Sequence, residues 1–143
     1  MSKINTIAEA MAERLNAEIY LQDVVAVVSR QKDLASTLQA KVLKAGGAAI
    51  VIQFEGFSNP SANSPVHPTV TRRYTATIYT KPIMREGETP ADDIVEFVAS
   101  KLHDWDITAD TADAAEVRMT GGDVIPDRNY LIYQLDLEVL SRL

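Results

Sequence analysis

The chain has 143 residues, of which 46% are hydrophobic and 24% charged, enough apolar content to bury one core and too much for a disordered segment. Fourteen Lys and Arg against twenty Asp and Glu leave a formal charge of −6, which disfavours tight nonspecific binding to phosphate backbones. Cysteine is absent, which removes disulfides, thiolate metal sites and cysteine nucleophiles together and fits a reducing compartment.

In chain order, Ile4, Ile7, Ala8, Met11 and Leu15 recur at spacings of three and four, which predicts a first helix over Ile4 to Asn16. This amphipathic opening differs from a signal peptide, and no apolar run approaches the roughly 20 residues of a membrane helix, so a cytosolic start and no membrane partner are expected. Asp23 to Ser29 is a short β-branched run that reads as a buried strand, with a helix running on into the next segment as the alternative. Asp33 is a candidate cap for a helix with Leu34, Leu38, Val42 and Leu43 on one face, stopped by Gly46-Gly47. Ala48 to Phe57 then alternates Ile50, Ile52 and Phe54 with the more wetted Val51, Gln53 and Glu55, the pattern of a strand.

Ser58 to Thr69 holds three prolines among serines and asparagines, a composition that neither packs nor pairs as a central strand and predicts a long contact loop. Val70 to Lys81 resumes alternation, with Tyr74, Ala76 and Ile78 inward and Arg73, Thr75, Thr77 and Tyr79 opposite. Thr89 caps a further helix with Pro90 at its first position and Asp92 and Asp93 in its first turn, where the helix dipole favours negative charge. Its apolar stripe is read as Ile94, Val95, Val98, Leu102 and Trp105. A strand at Ala115 to Thr120, a Gly121-Gly122 turn or bulge, and a final strand from Asn129 to Leu140 close the chain. The expected fold is a single α+β domain over residues 1–143: an antiparallel sheet of four to five strands, with a mixed sheet as the alternative, helices on its apolar face and a polar, partly acidic face left open.

Candidate chemistry is sparse. His67 and His103 have no partner at metal spacing, and His103 near a helix C-terminus has the simpler role of a polar end residue. Asp92 and Asp93 are adjacent on a helix and so point about 100° apart, unlike a catalytic carboxylate pair. Arg72 and Arg73 fall on opposite sides of a strand, which argues against a two-arginine clamp. The glycine doublets lack phosphate-cradle context, and the serines lack an elbow motif or a base. The expectation is a protein without catalytic residues, cofactor or metal.

Six stretches carry a resemblance: Gly47-Ala48-Ala49-Ile50-Val51-Ile52, Phe57-Ser58-Asn59-Pro60-Ser61-Ala62-Asn63-Ser64-Pro65, Lys81-Pro82-Ile83, Thr89-Pro90-Ala91-Asp92-Asp93-Ile94, Lys101-Leu102-His103-Asp104-Trp105 and Tyr133-Gln134-Leu135-Asp136-Leu137-Glu138-Val139. In order and texture they resemble the tail-terminator or tail-completion proteins of long-tailed bacteriophages and related prophages, over roughly residues 19 to 143. The resemblance implies a virion structural protein, assembled in the bacterial cytoplasm into a homo-oligomeric ring, commonly a hexamer, that caps the tail tube and offers a docking surface to a neck or head-completion protein. It implies assembly contacts through Phe57, Asn59, Pro60, Asn63, Pro65, Arg73, Arg85 and Glu86. It further implies a lumen face at Gln134, Asp136 and Glu138, past which DNA moves without being tightly bound. The alternatives are a small protein-binding or regulatory module, another phage neck or head-closure subunit, and, third, an enzyme with a dispersed site.

Overall fold

A computed structural model describes residues 3–17, 24–28, 48–58, 69–80, 91–107, 115–128 and 130–142. In chain order the elements are α1 (Lys3–Asn16), β1 (Val24–Val28), β2 (Ala48–Ser58), β3 (Thr69–Thr80), α2 (Ala91–Leu102), β4 (Trp105–Ile107), β5 (Ala115–Ile125) and β6 (Leu131–Arg142). The fold is α+β, as expected, but the sheet has six strands, in the order β1-β2-β3-β6-β5-β4. It is mixed, because β1 runs parallel to β2 while every other pair is antiparallel. Parallel neighbours cannot be joined by a hairpin turn, which is why alternation within each strand could not reveal this pairing.

The apolar stripe of α1 matches the expectation: Ile7, Ala8, Met11 and Leu15 are buried, together with Ala12. On α2, Ile94, Val98 and Leu102 are buried. Trp105, assigned from its spacing to the α2 stripe, instead opens β4, because the helix ends at Leu102 and Asp104 takes a left-handed conformation (φ 57°) that turns the chain back. Asp tolerates that conformation better than most residues. Both helices lie on one face of the sheet, against Ala26, Ile50, Ile52, Tyr74, Ala76, Ile78, Val117, Leu135, Leu137 and Val139. The expected helix over Asp33 to Lys44, the Gly46-Gly47 stop, the Thr89-Pro90 cap and most of the 58–69 loop lie outside the described residues; Ser58 and Thr69 themselves end β2 and begin β3.

The second face differs from the expectation at one end. Val27, Ala49, Val51 and Ile132 are buried there, with Val51 only 4% exposed, and Tyr79 stacks edge-on against Tyr130 at 5.7 Å. The polar character read from Gln53 and Glu55 therefore holds over only half of this face.

Polar side chains fasten α1 to the rest. The Tyr74 hydroxyl donates to the Ile4 carbonyl at 2.9 Å, and Arg14 Nε donates to the Lys101 carbonyl at 2.7 Å, in the last turn of α2. The Arg14 guanidinium also lies 4.7 Å from the Trp105 ring centroid. Asn16 mimics a neighbouring strand: its Nδ2 donates to the Ala26 carbonyl at 2.9 Å and its Oδ1 accepts from the Ala26 amide at 2.8 Å.

Burial pushes the Tyr74 phenol well above its ordinary value of 10.0, and Arg72 draws it back only in part. Since the folded state holds this proton more tightly than the unfolded chain, the resulting stability is complete below about pH 10 and is lost as pH rises beyond it. Urea unfolding of Tyr74→Phe should show a loss of about 1 kcal/mol at pH 7 and a shallower decline above pH 10 than the unsubstituted chain. Asn16→Ala, which strips two hydrogen bonds from Ala26, should cost about 1–2 kcal/mol in the same measurement.

Candidate functional site

The face turned away from the helices is built by the even-numbered residues of β6. Gln134, Asp136 and Glu138 point to this side because Leu135, Leu137 and Val139 point to the core, and side chains alternate along a strand. Across the sheet they form rows: Arg73 of β3, Glu138 and Arg118 of β5 in one, then Thr75, Asp136 and Gly121, then Thr77, Gln134 and Asp123. A shallow groove of about 390 Å³ runs along these rows, bordered by Glu55, Arg73, Thr120, Gln134, Asp136 and Glu138. A smaller hollow of about 180 Å³ lies on the other side of Glu138, against Arg118, Glu116, Thr71 and Leu140.

Two bulges shape the groove. In β2 the register shifts between Phe54 and Gly56, so that Gly56 faces Arg73. Gly56 has φ 135°, and a Cβ there would come within 3.0 Å of Arg73 Nη2, so the glycine both permits the backbone bend and leaves room for the guanidinium. Glu55, at the bulge, is held by the Thr75 hydroxyl, which donates to Glu55 Oε1 at 3.0 Å. In β5 the shift falls between Met119 and Gly121, and Thr120 turns its hydroxyl to the Asp136 carbonyl at 3.4 Å. Gly121-Gly122 is thus part of a bulged strand, which continues to Ile125 rather than turning back.

The electrostatics are mixed. Glu55, Glu116, Asp123, Asp136 and Glu138 share this face with Arg73 and Arg118, so carboxylates outnumber guanidinium groups while Glu138 stands between two arginines. Arg118 and Glu116 approach within 3.6 Å, but both are well exposed, and such a pair contributes between zero and about 1 kcal/mol. The close hydroxyl–carboxylate pair, Thr75 with Glu55, is poorly placed for nucleophilic work because Thr75 is only 5% exposed. His103 lies apart, at the sheet edge: its Nδ1 accepts the Met119 amide at 3.1 Å and its Nε2 lies 3.4 Å from Asp104. Among the described residues no cluster of three His, Asp or Glu side chains is arranged to hold a metal ion, and no helix is long and apolar enough to cross a membrane.

The residues singled out from sequence divide accordingly. Gln134, Asp136 and Glu138 come together, and Arg73, assigned to assembly, joins them on the same face. Phe57 lies on the other face, 47% exposed, edge-on to Phe54 at 5.2 Å and with the Arg72 guanidinium 5.6 Å from its ring centroid. Asn59, Pro60, Asn63, Pro65, Arg85 and Glu86 lie outside the described residues. Sequence reasoning missed Glu55, Arg118 and the bulge at Gly56. A glycine interrupting the alternation of Phe54-Glu55-Gly56-Phe57 is the signal that marks the bulge.

No family model matches the chain, and no curated protein matches it.

Replacing Gly56 with alanine should destabilise the fold by about 1 kcal/mol or more, since φ 135° is a region that only glycine adopts freely. Thermal unfolding measures the loss, and the chemical shift of the Arg73 Nε proton reports whether the guanidinium is displaced.

Proposed function

We propose that the chain is a structural subunit of a phage tail or tail-like particle, one of a ring, commonly six-membered, that caps the tail tube and presents a docking surface to a neck or head-completion protein. The observation that carries this reading is the long polar face of β3, β6 and β5, with Gln134, Asp136 and Glu138 at its centre and carboxylates in excess over guanidinium groups. A lumen that DNA traverses needs such a surface: wetted, shallow, and repelling phosphate on balance. Arg73 and Arg118 moderate the repulsion without reversing it. The virion location and the tail-tube and neck partners come from the sequence resemblance, and the same resemblance supports a neck or head-closure subunit as a neighbouring role.

One observation favours a second reading, a small protein-binding module. Leu140 is 55% exposed on the polar half of this face, beside the smaller hollow, and an apolar anchor within a polar rim is the arrangement of a protein contact. Light scattering across a range of concentrations, with electron microscopy of any large species, separates the two. The ring reading expects a closed species of about six subunits, formed alone or on adding tail tubes, whereas a single subunit or simple dimer indifferent to tail tubes would favour the module. The lumen assignment has its own check. Asp136→Lys with Glu138→Lys should raise retention on DNA several-fold at low salt, an increase that disappears as salt screens it.

A further inference from the structure

Among the described residues, the two long strands near the margins of the sheet are each paired over only part of their outer edge. β1 pairs with β2 over Ala48–Ile52 alone, and β4 pairs with β5 over Ala115–Val117 alone. The outer edges of β2 from Gln53 to Ser58 and of β5 from Arg118 to Ile125 have no strand partner among the described residues. The two halves lie at opposite ends of the sheet. Phe57 is in line with Arg72, Val139 and Val117 at the β4 end, whereas Ala49 is in line with Tyr79, Ile132 and Ile125 at the β1 end. Each margin is a step, and the step on one side is the complement of the step on the other.

Side chains close part of each margin. Asn16 occupies both hydrogen-bonding groups of Ala26 on β1, and His103 takes the Met119 amide just beyond β4. Beyond those points Arg118 and Thr120 to Val124 of β5 are exposed, as are Gln53, Glu55 and Phe57 of β2, and neither half contains the lysine or proline that commonly blunts an edge. Because the Met119 amide points away from β6, the alternation of an antiparallel ladder carried across the bulge turns the Gly122 and Val124 amides outward as well.

We propose that the uncovered half of β5 pairs, antiparallel and head to tail, with the uncovered half of β2 from a second copy of the chain. Six residues of β2 fit against eight of β5, and the partner's β2 ends at Ser58, short of β4. Antiparallel pairing within these bounds sets Glu55 opposite residues 121 to 123 of β5, and Ser58 opposite residues 118 to 120. Two β5 edges could pair over Arg118 to Ile125 about a two-fold axis, but a contact of that kind closes as a dimer and not as a larger ring. A heterologous contact of this kind forms a ring when its rotation closes. The inference thus rests on the ring reading, which requires unlike edges to meet.

The absence of cysteine permits a direct test. Glu55→Cys, Asp123→Cys and the double variant are treated with a short bis-maleimide and resolved on a denaturing gel. The double variant is expected to give a ladder that stops at the ring number, and each single variant to remain at the mass of one subunit. Val124→Pro, which keeps the bonds of β5 to β6, is expected to abolish the ladder and reduce the solution mass to one subunit with an unchanged circular dichroism spectrum. If that variant fails to fold, the crosslinks alone decide. Dimers from Asp123→Cys alone would overturn the proposal in favour of a two-fold β5 contact. An unsubstituted chain that forms rings while the double variant gives no ladder would overturn edge pairing and leave the ring reading standing. A chain that remains one subunit at every concentration, with and without tail tubes, would overturn both.

Discussion

The register between β3 and β6 is the constraint on which the rest depends. Twelve consecutive pairs, from Thr69 with Arg142 to Thr80 with Leu131, run without a shift. Because side chains alternate along a strand, this register alone sends Tyr74, Ala76, Ile78, Leu135, Leu137 and Val139 toward the helices and Arg73, Thr75, Thr77, Gln134, Asp136 and Glu138 the other way. A slip of one residue in either strand would bury the charges and strand the core. Both bulges occur in the flanking strands β2 and β5, where the sheet bends without disturbing the central ladder. The same register brings Tyr74 under Ile4 and so determines where α1 sits.

What sequence made legible follows from this. Period-two alternation is strong wherever one face is buried and the other wetted, and β2, β3 and β6 were recognised on that basis to within two residues at each end. The stripes of α1 and α2 were equally plain. The missed features have other physical origins. β4 has three residues, too few to show any period, and its first residue, Trp105, extends the helical spacing of α2 by coincidence of its distance from Leu102. The parallel pairing of β1 is a property of chain path and leaves no mark on local alternation. The burial of Val51 beside the exposed Gln53 depends on what lies over that end of the face, which a strand cannot report about itself.

For the site, the β6 triad was readable because its acids and amide alternate with leucine and valine. Its neighbours were harder. Arg73 stands beside Glu138 only because of the β3–β6 register, and Arg118 only because the bulge in β5 comes after it. The resulting surface is less acidic than β6 alone suggests, and its charges are ordered in rows. Such an arrangement governs approach and orientation more than affinity, since exposed charges act through a screened field and individually contribute little.

The fastenings of α1 have a consequence for the order of folding. Its contacts reach Tyr74, seventy residues away, and the Lys101 carbonyl, eighty-seven residues away, and Arg14 lies over Trp105, which follows α2. During synthesis the helix is made long before any of these exist, and an amphipathic segment of this length is marginal in isolation. The stripe can meet β1, to which Asn16 ties it, and then β2 as these emerge, but the bonds to Tyr74, Lys101 and Trp105 wait until β3, α2 and β4 have left the ribosome. The first-made element is thus fixed at both scales, by near neighbours that can hold it early and by distant ones that can lock it only when the chain is nearly complete.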